Sequence, residues 1–137
     1  PVITELMDLE GYCANTQVEV QSSGHVDDMV QEISPVAAVE KMSAGWAPYV
    51  LDVRSIGEGS IASLSFVDDL IPHVDILQHL DSLPSDRDIL VHCHHGGRSM
   101  MAVVMLASNG WDASRLWNLT GGIDLWSRDV DSNIPRY

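Results

Sequence analysis

Basic side chains are scarce in this sequence. Lys and Arg together number 7 against 20 Asp and Glu, which gives a formal net charge of -13, and Lys41 is the only lysine. Proteins that bind nucleic acids or anionic membranes need a basic face. We therefore expect neither a nucleic acid nor a membrane as a partner. The sequence also lacks an apolar run long enough to span a bilayer, and it shows no signal-peptide pattern.

Cysteine is equally rare, and Cys13 and Cys93 lie far apart in the chain. This spacing excludes a disulfide framework and a Cys-rich zinc site, and the expected location is the reducing cytoplasm. The run His92-Cys93-His94-His95 contains metal-ligating residue types. Consecutive residues in a tight loop do not readily converge on one ion, so we predict no metal site.

The 137 residues have ordinary globular composition, with 45% hydrophobic residues, and suffice for one hydrophobic core. Residues 14–32 are polar, with Ser22, Ser23 and Gly24 at their centre. Such a stretch is typical of a linker. We therefore predict a junction or linker arm at residues 1–32 and a single domain at residues 33–137.

Strand and helix patterns alternate from Ile33 onward. The predicted strands are 49–53, 66–70, 89–92 and 116–119, the predicted helices begin at Pro35, Pro72, Ser99 and Gly122, and residues 54–65, rich in Gly and Ser, are predicted to form a loop. Alternation with short connections predicts an α/β fold, with a small parallel sheet flanked by helices on both faces.

The stretch after the predicted strand 89–92 carries the clearest chemical signal. Cys93 follows this buried strand, and Gly96 and Gly97 precede Arg98, Ser99 and a helix. A loop that enters a helix N-terminus directs backbone N–H groups at an anion, and glycines let the backbone approach closely. A cysteine in such a loop is stabilised as the nucleophilic thiolate. The carboxyl end of a parallel strand is also where open α/β sheets bind ligands.

Three ordered motifs resemble those of the rhodanese-type sulfurtransferases. Cys93–Ser99 (CHHGGRS) resembles the active-site loop, Leu51–Arg54 (LDVR) the strand that ends in Asp-x-Arg, and Asn118–Trp126 the Leu-x-Gly-Gly-x-x-x-Trp signature. The resemblance implies a persulfide on Cys93. It also implies anion or substrate binding by the loop and a supporting structural role for two residues of the second motif. The loop residues are His94, His95, Gly96, Gly97, Arg98 and Ser99, and the supporting pair is Asp52 and Arg54.

Residues 1–13 and the ending at 130–137 resemble segments of fused molybdopterin-synthase adenylyltransferase/sulfurtransferases. The implied donor is thiosulfate or a protein of the cysteine desulfurase type, and the implied acceptor is a ubiquitin-like sulfur carrier activated at its C-terminus. We expect no cofactor in this domain, and ATP and zinc only in an adenylating domain outside this sequence. The chain departs from the family at residues 55–66, where a Gly-His-Ile segment is usual, and at His94 and His95, where Arg or Lys is common.

Two other functions remain open at this level. Phosphatases and arsenate reductases also use a Cys thiolate, an N–H nest and an Arg, but phosphatase loops of the tyrosine type place five residues between Cys and Arg. Here four residues separate Cys93 from Arg98, and the shorter loop suits one sulfur atom better than a tetrahedral phosphate. The third possibility is a noncatalytic interaction module of the same fold, although such modules commonly lose the Cys.

Overall fold

A computed structural model describes residues 30–137, in which five strands form one parallel sheet of order β1-β5-β4-β2-β3. The strands are β1 (Gln31–Ile33), β2 (Tyr49–Asp52), β3 (Asp69–Leu70), β4 (Ile89–His92) and β5 (Leu116–Leu119). The helices are α1 (Pro35–Ser43), α2 (Ile56–Ile61), α3 (Gly97–Ser108) and α4 (Gly122–Asp129), with 3-10 turns at His73–Gln78, Leu80–Ser82 and Ala113–Arg115. In this part of the chain, no helix is long and apolar enough to cross a membrane.

The sheet has a hydrophobic cluster on each face, because successive strand residues point to opposite sides. On one face, Leu51 and Val91 pack with α3, whose Leu106 is fully buried. On the other face, Val50 and Leu90 pack with residues of α1 and α4. The predicted α/β fold with helices on both faces is thus confirmed.

The topology places Cys93 at a point where the chain switches from one face of the sheet to the other. The adjacent strands β4 and β5 lead into helices on opposite faces, since α3 follows β4 and α4 follows β5. The two helices therefore leave the carboxyl edge of the sheet on opposite faces. Open α/β sheets bind their ligands at such a switch point.

The prediction of a loop at residues 54–65 is wrong, because helix α2 occupies the centre of this segment. Ser55 and Glu58 form a reciprocal capping box, with the Glu58 N–H on Ser55 Oγ at 3.2 Å and the Ser55 N–H on Glu58 Oε1 at 3.2 Å. Glycine in this helix also has a packing role. A Cβ on Gly59 would lie 2.7 Å from Leu70 Cδ1, so the small residue lets α2 approach β3.

Two further elements differ from their predicted form. Only Asp69 and Leu70 of the predicted strand 66–70 pair with β2, because Phe66 turns into the core against Trp126, with ring centroids 5.2 Å apart. The helix predicted from Pro72 is a pair of 3-10 turns. Val74 and Leu77, expected on its apolar face, are 73% and 57% exposed. Short connecting segments commonly take this tighter form.

Strand β1 was not predicted and spans the predicted domain boundary at residue 33. Gln31, Glu32 and Ile33 pair in parallel with residues of β5. Its short polar sequence carries little strand signal by itself. The linker interpretation of residues 14–29, the junction at residues 1–13 and Cys13 lie outside the described residues, so the boundary stays a prediction.

The first turn of α4 lies directly on the Cys93 loop. The N–H of Ile123 donates to the Cys93 carbonyl at 2.9 Å, and the N–H of Asp124 donates to the His94 carbonyl at 3.1 Å. Gly122 makes this approach possible, because it has a φ of +60° and a Cβ there would overlap both carbonyl oxygens. Close backbone packing therefore requires Gly122, the second glycine of the third sequence motif.

We expect Gly122→Ala to destabilise the domain much more than Gly110→Ala. Both glycines have positive φ, 60° and 105°, but a Cβ on Gly110 meets nothing within 4 Å. Backbone strain alone costs about 1–2 kcal/mol for alanine, whereas Gly122→Ala adds steric overlap with the Cys93 loop. Urea unfolding monitored by tryptophan fluorescence measures the loss of stability in both variants. Equal losses would show that α4 can shift away from the loop without cost.

Candidate functional site

Cys93 lies immediately after β4, and its side chain is 1% exposed. Its Sγ accepts a hydrogen bond from the Gly96 N–H at 3.0 Å. Ser99 Oγ is 3.4 Å from the sulfur and is also within hydrogen-bond distance of Asn118 Oδ1, so its single proton serves one of them at a time. The sulfur therefore faces donors at the N-terminus of α3, where the helix dipole favours negative charge.

Hydrogen bonds from neighbouring elements to its carbonyl groups hold the loop around the sulfur in place. Gly96, the N-cap of α3, has a φ of 109°, a conformation that favours glycine, and a Cβ there would lie 3.3 Å from Gly121 N. The Gly96 carbonyl accepts from Asn118 Nδ2 at 3.2 Å. Together with the α4 contacts to Cys93 and His94, these bonds turn the carbonyls outward and leave N–H groups for the sulfur.

Asn118 is in turn oriented by β1, which brings Glu32 to the site. Asn118 Nδ2 lies 3.3 and 3.4 Å from the two Glu32 carboxylate oxygens, and Thr120 Oγ1 donates to the same carboxylate at 2.8 Å. The sequence analysis missed Glu32 because it did not predict β1. No local pattern links a residue at position 32 to a loop at 93–99.

Arg98 is bound by a carboxylate, an arrangement that the sequence analysis also missed. Its Nη1 and Nη2 donate to Glu58 Oε1 and Oε2 at 2.7 and 2.8 Å. The hydrogen bonds to Arg98 hold the pKa of Glu58 far below its ordinary value, and those to Glu58 raise the pKa of Arg98. The pair is fully charged at neutral pH. The Ser-x-x-Glu pattern at 55–58 could have identified α2, but not its contact with Arg98.

Asp52 and Arg54 form a buried ion pair, and their predicted supporting role for the loop stays a prediction. Both are buried, and Arg54 Nε and Nη2 bond the Asp52 carboxylate at 2.9 and 2.7 Å. Arg54 Nη1 donates at 3.0 Å to the hydroxyl of Tyr137, which itself donates to Glu58 Oε2 at 2.8 Å. Tyr137 thus joins the buried ion pair to the pair of Glu58 and Arg98.

His94 and His95 form a stack with Tyr137 beside the loop. The His94 ring lies 4.0 Å from the Tyr137 ring at 5° and 3.9 Å from the His95 ring. Burial, with the neighbouring His95 imidazole, lowers the pKa of His94 from its ordinary value. The His95 side chain is 66% exposed and lies 3.8 Å from Asp124. Neither imidazole is among the groups that bond Cys93 Sγ, and binding of substrate by these histidines stays a prediction.

Ligand atoms of His94, His95 and Asp124 all lie within 4.8 Å of one another. This grouping differs from the consecutive run considered in the sequence, because α4 supplies Asp124. Arg136 Nε already donates to Asp124 at 2.9 Å. The expectation that the domain holds no metal stays a prediction.

His92, the last residue of β4, is fully buried beside Cys93. Its Nε2 has no hydrogen-bond partner among the described residues, and it lies 3.8 Å from Asp52 Oδ2. Burial lowers the pKa of His92 to about 4, outweighing the nearby Asp52 carboxylate. The imidazole is therefore neutral at physiological pH and packs in the core beneath the loop.

A family comparison agrees with these motifs and this geometry. Residues 34–129 match the model of the rhodanese-like domain. The chain belongs to this family. A rhodanese-related protein from Thermoplasma volcanium has the same fold, with a TM-score of 0.63 at 28% identity over 73% of this chain and 93% of that one.

Two curated relatives carry sulfurtransferase names. The adenylyltransferase and sulfurtransferase uba4 of Ogataea parapolymorpha is 35% identical over 83% of this chain, which spans 29% of that protein's length. A sulfurtransferase of Allochromatium vinosum is 32% identical over 73% of this chain and 91% of its own length. The resemblance to the rhodanese domain of adenylyltransferase/sulfurtransferases is confirmed, and these relatives support a sulfurtransferase role.

We expect the buried His92 to make stability depend on pH between about 6.5 and 4. Its pKa is lower in the folded state, about 4, than its ordinary value of 6.5. The unfolded chain therefore takes up the proton first as the pH falls, and the free energy of unfolding falls by about 1.4 kcal/mol per pH unit from this group. His92→Gln should remove that part of the slope.

Urea unfolding of both proteins at pH 7.5, 6 and 5 measures this difference. His79→Gln, which replaces an exposed histidine, is the control for loss of an imidazole. Parallel curves for wild type and His92→Gln would contradict the assignment, whatever the absolute stability of the variant.

Proposed function

We propose that the domain is a sulfurtransferase that carries sulfane sulfur as a persulfide on Cys93. The observation that carries this proposal is the hydrogen bond from the Gly96 N–H to Cys93 Sγ at the N-terminus of α3. Donors in this position stabilise negative charge on the thiolate and then on the persulfide. The switch point between β4 and β5 provides the place for a substrate.

In the loading step, the Cys93 thiolate attacks the outer sulfur of thiosulfate. An S–S bond forms on Cys93, the S–S bond of thiosulfate breaks, and sulfite leaves with the electron pair. With a protein persulfide as donor, the same attack releases the donor's thiolate. The loop residues Gly96, Gly97 and Ser99 bind the anionic sulfur. Arg54, paired with Asp52, holds the segment that carries Glu58 through the Glu58 and Ala62 carbonyls. None of these steps uses a cofactor within this domain.

The proposed acceptor is the adenylated C-terminus of a ubiquitin-like sulfur carrier. The terminal sulfur of the persulfide attacks the activated carboxyl carbon, forming a C–S bond and displacing AMP. A second thiol then attacks Cys93 Sγ, so that the S–S bond to the transferred sulfur breaks, a disulfide forms on Cys93 and the carrier leaves as a thiocarboxylate. The names of the adenylyltransferase and sulfurtransferase relatives support this acceptor. A cysteine desulfurase is the proposed protein donor. ATP and zinc would belong to an adenylating domain.

Cys93→Ser should abolish the transfer of sulfur from thiosulfate to cyanide. Cys13→Ser is the matched control, since it removes the other thiol of the sequence, and it should retain most of the activity. Thiocyanate formation measures turnover. Intact mass after incubation with thiosulfate should show one added sulfur atom in wild type and Cys13→Ser, and none in Cys93→Ser. Turnover or sulfur loading in Cys93→Ser would contradict the assignment.

A further inference from the structure

The arginines around the Cys93 loop are all bound to carboxylates. Arg54 bonds Asp52, Arg98 bonds Glu58 through both terminal nitrogens, and Arg136 bonds Asp124. In the first two pairs, both partners are buried or half-buried. A bidentate pair of this kind has a strongly directional geometry and nearly cancels its own charge at a distance.

Hydrogen bonds fix both carboxylate oxygens of Glu58 in place. Its Oε1 accepts from Arg98 and from the N–H of Ser55, and its Oε2 accepts from Arg98 and Tyr137. Arg98 is the second residue of α3, and the N-cap of that helix, Gly96, donates its N–H to Cys93 Sγ, so Arg98 belongs to the helix end that an anion bound at the sulfur would face. The carboxylate of Glu58, bonded to the Arg98 guanidinium, opposes the attraction of that guanidinium for such an anion.

We propose that Glu58 is a specificity-determining residue that neutralises Arg98 and thereby disfavours sulfur donors of high negative charge. The inference rests on the proposed function and names the donor class that its site accepts. Thiosulfate is a dianion, and the chain itself has a net charge of -13, which repels it further at low salt. A donor that presents a persulfide with one negative charge or none meets less repulsion.

Glu58→Gln is the informative substitution because it removes the charge and keeps the shape. Glutamine still completes the capping box with Ser55, and its carbonyl oxygen can accept from Arg98 Nη1. Its amide nitrogen cannot accept from Arg98 Nη2, so part of the guanidinium becomes available to an anionic donor. The hydroxyl of Tyr137 can accept from the new amide. The variant therefore tests charge with little change in packing.

Two donors that differ in charge separate this effect from general disturbance of the site. Thiosulfate carries two negative charges, and methanethiosulfonate carries one. Each transfers its outer sulfur to Cys93, releasing sulfite or methanesulfinate, and cyanide then removes the sulfur as thiocyanate. The measured quantity is the ratio of kcat/KM for thiosulfate to kcat/KM for methanethiosulfonate, so the methanethiosulfonate rate is an internal standard for each variant.

Glu58→Gln should raise this ratio by about three- to tenfold at low ionic strength, mainly through a lower KM for thiosulfate. Added salt should diminish the gain. Arg98→Gln should lower the ratio, because it leaves the Glu58 carboxylate without its partner. The double variant should lie between the two single variants. A ratio that is unchanged or lower in Glu58→Gln overturns the proposal.

Glu40→Gln is the matched control for a change in net charge. Glu40 is exposed in the last turn of α1, which runs away from the carboxyl edge of the sheet. An equal rise of the ratio in Glu40→Gln would assign the effect to net charge and overturn the role of Glu58. Cys93-dependent turnover with an unchanged ratio would refute only this inference, whereas loss of the dependence on Cys93 would refute the proposed function.

Discussion

The contact between the first turn of α4 and the carbonyl groups of Cys93 and His94 is the constraint on which the site depends. Two helix N–H groups, those of Ile123 and Asp124, bind these carbonyls. A buried carbonyl needs a partner, and here the partner is a helix end that would itself lack acceptors. The arrangement turns the loop so that the Gly96 N–H meets the sulfur at 3.0 Å. One backbone contact thus satisfies the helix and orients the loop.

Charge at the site is distributed in pairs. Arg54 is fully buried and engages Asp52, and Arg98 engages Glu58, with the Tyr137 hydroxyl between the two pairs. Removing either partner of a buried pair leaves an uncompensated charge. The donor that contacts the sulfur directly is the Gly96 N–H at the N-terminus of α3. Binding of the anion by Arg98, which the sequence analysis expected, stays a prediction.

The strongest elements were predictable because their signals are local. Strand β4 and strand β5 have the predicted bounds, and α1 begins at Pro35 after the Ser34 cap, whose Oγ accepts from the Ala37 N–H. Helix α2 was missed because its glycines resemble a loop, although the Ser55 and Glu58 capping box was present in the sequence. Strand β1 was missed because its pairing with β5 alone defines it.

The sequence by itself determined the α/β class, the position of Cys93 between a buried strand and a helix, and the glycines that let its loop close. These follow from local patterns: buried runs, cap residues and a Gly-Gly-Arg-Ser stretch before a helix. Only the tertiary structure decided which partners reach that loop. Glu32, Glu58 and Tyr137 lie far from Cys93 in the chain, on β1, on α2 and in the segment after α4. Such contacts depend on strand order and on the direction in which each helix leaves the sheet, and these are set by packing of the whole core.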